Sequence, residues 1–270
     1  MSQVPFRILH AGALRRPIGE CAQVFREHFP HLCVELESAG SRECAARICE
    51  GGIYDVIALA DTAIFERWLV PDHVDRYFVF ATDEIVVAFD RFSRHSREIG
   101  PDNWMEVLLS KGVIYGRSDH QLDPCGYRTL MVWQLAEKFY NRPGLYNALE
   151  SGCSRIYRKS IDLAGALVEG RVDYGFLYSS VARQLGLHFI RLPSRINLSH
   201  PALADYYAAA GVVLEEKGPG ERVTLAGAPI EFAVAVSRSA RYPGEARWFV
   251  ELITGERGRQ ILEACGLVPC

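Results

Sequence analysis

Apolar positions along the chain switch repeatedly between a period of two and a period of three to four, the pattern of an α/β fold. Short apolar runs predict strands at 6–11 (FRILHA), 32–38 (LCVELES), 54–60 (YDVIALA), 113–119 (VIYGRSD), 172–178 (VDYGFLY) and 188–193 (HFIRLP). Helices fill most of the gaps. Leu14, Ile18, Cys21 and Phe25 fall on one helical stripe, and Tyr127, Met131, Leu135 and Phe139 on another, so both helices should face a core. Two longer apolar strands, 83–90 (DEIVVAFD) and 228–237 (APIEFAVAVS), bracket a central block. They predict that the chain leaves a first lobe, builds a second and returns, with 1–84 and 229–270 in lobe one and 85–228 in lobe two. The final stretch, PGEARWFVELITGERGRQILEACG, predicts two helices on lobe one, interrupted at Gly255 and ended by Gly266. Gly218, Pro219 and Gly220 lie between predicted strands and suit a turn better than a phosphate loop.

Composition narrows the function. With 270 residues, 49% of them hydrophobic, the chain can bury a sizeable core. A net charge of -3, with basic residues scattered in short pairs such as Arg15 and Arg16, excludes a general nucleic-acid surface. No apolar run reaches the roughly 18 residues of a membrane span, so no membrane insertion is expected. MSQVPFRILHAG leads into a strand without a secretory signal, leaving a cytoplasmic protein or one whose targeting segment was removed. The eight cysteines contain no C-x-x-C pair, and buried unpaired thiols are expected. His10, His120 and His188 are scattered without a triad context, which argues against an enzyme.

Three loops share one design, a strand ending in small residues that runs straight into a helix: HAGAL (10–14), SAGSRE (38–43) and DPCGYR (123–128). A helix start presents unpaired N–H groups and the positive end of the peptide dipoles. Ser41 can cap its helix or donate its hydroxyl to an anion, while Asp123 before Pro124 is an acidic cap with proline at the first position. Jointly, the three loops predict a socket for a small oxyanion.

The stretch GRSDHQLDPCGYRTLMVWQLAEKFYNRPGL, with LHAGAL, ESAGS, YDVIALAD, DEIVVAFD, PDNWMEVLL and VDYGFLYSSVARQLGL, closely resembles the archaeal-type tungstate/molybdate-binding proteins. These are solute receptors of ABC importers, and the resemblance covers most of the chain. It implies a two-lobed, type II periplasmic-binding-protein fold with a hinge and an interlobe ligand cleft. It implies no cofactor, tungstate or molybdate as ligand, an ABC permease as partner, and a periplasmic or extracellular location. Ser41 would be a hydroxyl and amide donor, Asp123 the carboxylate approaching the metal centre, Tyr178 a contact from lobe two, and Cys125 an amide at the helix start.

Two positions depart from the family pattern. Ala13 stands where the family has a serine, removing one hydroxyl donor. Ser160 stands at the second metal-approaching carboxylate, with Asp162 two residues further on and a shortened segment before it. These departures keep a second reading open, a cytoplasmic or accessory ligand sensor of the same fold with an altered anion.

Overall fold

The computed structural model describes residues 4–216 and 220–270, so Gly218 and Pro219 of the predicted turn lie outside the described residues. The chain divides into two compact units, Met1–Thr82 with Glu231–Cys270, and Asp83–Ile230. In chain order the first unit forms β1 (Phe6–Ala11), β2 (Val34–Ala39), β3 (Val56–Leu59) and β4 (Phe78–Thr82). The second forms β5 (Ile85–Phe89), β6 (Tyr115–Ser118), β7 (Arg155–Tyr157), β8 (Tyr174–Tyr178), β9 (His188–Arg191) and a hairpin of β10 (Gly211–Glu215) and β11 (Arg222–Ala226). The chain returns to the first unit as β12 (Glu231–Val236) and β13 (Val268–Pro269).

The first sheet has the order β13-β4-β12-β3-β1-β2, in which β1 is parallel to both β2 and β3 and β12 is antiparallel to β3. Every residue of β3 is buried, as a strand covered on both faces requires. The Arg15–His28 helix buries Ile18, Cys21 and Phe25, in line with the expected stripe. Phe25 stacks on Phe6 of β1 at 4.5 Å between ring centroids and meets Phe249 edge-on at 5.8 Å. These rings pin the Pro243–Thr254 helix to the first unit, and the Glu256–Ala264 helix follows it there. Gly255 is extended between the two helices, and Gly266 ends the second with a φ of 82°, a left-handed turn that glycine adopts without strain.

The second sheet, β7-β6-β8-β5-β9, repeats the plan: β6 is parallel to β7 and β8, and β5 runs antiparallel to β8. Both units thus place the ends of three neighbouring parallel strands on one edge, although the sequence shows no repeat. The Pro124–Phe139 helix lies on this sheet, burying Tyr127, Met131 and Leu135, with Trp133 packed edge-on against Phe176 at 5.4 Å. Phe139, the fourth member of the expected stripe, is 38% exposed because the last helical turn outruns the core.

Candidate functional site

The candidate residues fall on both units, at the carboxyl ends of the parallel strands. In open α/β sheets this edge, where successive connections turn in opposite directions, is where ligands are held. In the first unit, His10 and Ala11 of β1 pair with Ser38 and Ala39 of β2, so the loops that follow leave side by side. Ala13 is buried in a short 3₁₀ turn (Gly12–Leu14) that leads into the Arg15–His28 helix. Gly40 takes the cap position of the next helix, and Ser41 is its first residue. Ser41 is fully buried, and its Oγ accepts the N–H of Ala60 at 3.0 Å, from just beyond the end of β3. That contact places the hydroxyl across the ends of two strands and leaves its own proton to give.

His10 beside this loop is structural. Its Nδ1–H donates to the Ala11 carbonyl at 2.8 Å, and burial lowers its pKa to about 4. His120 and His188 belong to the other unit.

In the second unit, Asp123 caps the Pro124–Phe139 helix, its Oδ1 accepting the Cys125 N–H at 3.2 Å. Oδ2 accepts the N–H of Ser160 at 2.5 Å, at the start of the Ser160–Val168 helix. One buried carboxylate therefore sits at two helix N-termini. Burial pushes its pKa up, while the two N–H groups pull the other way. The amide of Cys125, expected as a ligand donor, is thus engaged by Asp123. The Cys125 thiol donates to the Phe176 carbonyl at 3.4 Å, and burial raises its pKa far above the usual thiol range. Gly126 allows this helix to start so close to β6: a Cβ there would meet the Ser118 carbonyl oxygen at 2.5 Å.

Ser160 is buried, whereas Asp162 is exposed, so the helix register does not bring Asp162 to the position of Ser160. Tyr178 closes β8, fully buried, and its phenol oxygen accepts from Nη1 of Arg128 at 2.7 Å. Beside it, Asp83 accepts from Ser179 Oγ at 2.7 Å and from the N–H of Glu84 at 2.8 Å, and burial pushes its pKa up to about 6. The structure thus joins Asp123, Cys125 and Ser160 through hydrogen bonds in one unit and places Ala13 and Ser41 on neighbouring loops of the other.

Sequence reasoning missed Arg128, Asp83 and the amide of Ala60. Arg128 was visible inside DPCGYR, but its partner lies 50 residues further along the chain. Among the described residues no cluster of His, Cys, Asp and Glu has the arrangement of a metal site. None of the eight cysteines is in a disulfide, and no helix among the described residues is long and apolar enough to cross a membrane.

The family described as bacterial extracellular solute-binding protein matches residues 6–268. A solute-binding protein of Petrotoga mobilis is 38% identical over 96% of this chain and 82% of its own length. The molybdate/tungstate-binding protein WtpA of Pyrococcus abyssi is 31% identical over 94% of this chain and 81% of its own. Among solved structures, the periplasmic molybdate-binding protein of Azotobacter vinelandii superposes with a TM-score of 0.68 at 20% identity, covering 97% of this chain and 98% of that one. The sulfate-binding protein SubI of Mycobacterium tuberculosis gives a TM-score of 0.74 at 11% identity, covering 99% and 87%. At such identities these two likenesses speak for the fold, which is that of the type II periplasmic binding proteins.

Proposed function

Because the chain belongs to the bacterial extracellular solute-binding protein family, whose members bind rather than transform their solutes, we propose that it captures molybdate or tungstate and delivers it to an ABC importer. The observation that carries this reading is Ser41, a fully buried hydroxyl at a helix start whose oxygen is already occupied by the Ala60 amide. Such a hydroxyl keeps its O–H to donate onward, which is what a fully deprotonated oxyanion needs. Neutral donors and helix N-termini meet the dianion's charge without burying several counter-ions, which limits the desolvation cost. The Pyrococcus relative's ligand supports the same choice of anion. The receptor would work at the periplasmic or extracellular face, with an ABC permease as its partner.

Asp123 is the carboxylate we assign to the approach of the metal centre, and Tyr178 the hydroxyl contributed by the second unit. Ser160 offers no second carboxylate and Asp162 is turned to solvent, so the bound centre should not reach the six-coordination that two carboxylates would complete. X-ray absorption of the tungstate complex tests this, since a six-coordinate shell would contradict it. Calorimetry with molybdate, tungstate, sulfate and phosphate tests the function itself. Tightest binding of the first two is expected. Ala13 and Ser160, the two departures from the family pattern, favour one second reading, a sensor for a different anion. Failure of all four oxyanions to bind would replace the first reading with that one.

A further inference from the structure

We infer that the second unit carries a further ligand site, a pocket for a flat aromatic molecule bearing a carboxylate or phosphate, separate from the oxyanion loops. Phe89, Arg91, Phe92, Ser96, Arg97 and His188 line a pocket of about 530 Å³. That is an ordinary size for a small-molecule site and far more than one tetrahedral oxyanion fills. The pocket lies at the opposite edge of the second sheet from Tyr178. Phe89, the last residue of β5, pairs with Tyr174 of β8 and His188 of β9, whereas Ile85 at the other end of β5 pairs with Tyr178. At the rise of an extended strand the two ends of β5 are about 13 Å apart.

Two features of the wall point to the ligand's chemistry. The first is charge without counter-charge: the lining holds two guanidiniums and an imidazole but no carboxylate. Among the described residues, neither the Arg91 nor the Arg97 guanidinium forms a hydrogen bond or an ion pair, and the His188 ring forms no hydrogen bond. Neighbouring acids are engaged elsewhere. Asp90 Oδ1 accepts the Phe92 N–H at 2.9 Å, Asp173 pairs with Arg94 at 2.8 Å, and Glu98 meets His95 at 3.1 Å. Guanidinium forks match carboxylate and phosphate oxygens with paired donors. The second feature is aromatic surface left in water. Phe92 is 81% exposed, although Asp90 holds its N–H and Ser96 Oγ donates to the Arg91 carbonyl at 2.7 Å. Arg91 lies over the Phe92 ring, with Cζ 4.5 Å from the centroid, and His188 stacks on the buried Phe89 at 5.8 Å. A flat ring seated here covers apolar surface and stacks on aromatic and guanidinium planes, while its anionic group meets the unpaired cations. The concave shape fits a small molecule better than a membrane, which an apolar projection would enter.

Calorimetry with four probes tests this. Adenosine monophosphate and benzoate each combine a ring with an anion, adenosine lacks the charge, and inorganic phosphate lacks the ring. At least one of the first two should bind about tenfold or more tightly than adenosine or phosphate, and the tighter of them identifies the anionic group. Arg97→Gln and Phe92→Ala alter exposed side chains, so both variants should fold, and each should weaken that binding about tenfold. Molybdate should not compete, because the pocket is at the other end of the sheet. Failure of both ring-bearing anions to bind, equal binding of phosphate alone, competition by molybdate, or wild-type affinity in both variants would overturn the inference. So would binding to phosphatidylglycerol vesicles in the absence of binding to any of the four probes, which would make this loop a membrane contact. None of these results depends on which oxyanion the loops of the first and second units take, so the receptor reading stands or falls separately.

Discussion

Asp123 Oδ2 accepts the backbone N–H of Ser160, 37 residues further along the chain, at 2.5 Å. With Oδ1 on the Cys125 N–H, the carboxylate ties together the first turns of two helices that rise from neighbouring strands β6 and β7. This residue thus has a structural task whether or not an anion is bound.

Replacing Asp123 by Ala should therefore destabilise the unliganded protein. Two buried N–H groups lose their acceptor, and a lost cap alone costs about 0.5–2 kcal/mol. Urea unfolding of the anion-free protein should show a lower midpoint with an unchanged slope. A midpoint equal to wild type would show that the two helix starts find other acceptors.

Gly126→Ala should act on the same corner through sterics. The added methyl would sit 2.5 Å from the Ser118 carbonyl oxygen and 2.7 Å from the Asp119 carbonyl carbon, so the helix start must move off the strand end. Overpacking of this kind costs about 1–3 kcal/mol. Because Asp123 moves with the helix, oxyanion affinity should fall together with the melting temperature. A variant as stable and as tight as wild type would refute the close approach.

Ala13→Ser restores a hydroxyl to the loop after β1, where the chain is already in a tight 3₁₀ turn. If that loop faces the anion, affinity for molybdate and tungstate should rise by about tenfold. Calorimetry measures it, and an unchanged affinity would remove Ala13 from the site.

Two buried groups should impose opposite pH dependences on stability. Asp83 has its pKa raised to about 6, so between about pH 4 and 6 the folded chain holds a proton that the unfolded chain has released. Stability from this group falls as pH rises through that window. His10, lowered to about 4 from an ordinary value near 6.5, does the reverse, since the unfolded chain binds the proton first. Stability from it rises over nearly the same window. Asp83→Asn should therefore steepen the gain in stability on going from about pH 4 to about pH 6.5, and His10→Asn should diminish or invert it. Denaturant unfolding at both pH values decides the matter. Identical pH slopes in wild type and both variants would show that neither group titrates as its burial demands.

Strand positions and the three strand-to-helix loops were legible because their signals are local: apolar runs, small residues and a proline after an acidic cap. Three strands escaped. β7 is three residues long, with Arg155 and Ile156 exposed, so it has no apolar signature. β4 is apolar but is separated from β5 by only two residues, and a single apolar run hides the boundary between units. β13 is two residues long, too short for any period. The Ser41 position was legible, but its partner was not. Ala60 comes 19 residues later and contributes only a backbone N–H, which no side-chain pattern encodes. The stripe through Phe139 shows the reverse error, since a helical period continues in the sequence after the core has ended.

Thr82 and Glu231, the residues on either side of the second unit, are cross-strand partners in the β4–β12 ladder. Topologically, residues 83–230 are a cassette inserted into what would otherwise be a hairpin. Its two cut ends are adjacent, so excision and closure with a short turn would leave the order of the six-stranded sheet unchanged. The same adjacency makes this junction the natural place to exchange one relative's second unit for another's, and so to graft a different solute specificity onto an unaltered first unit.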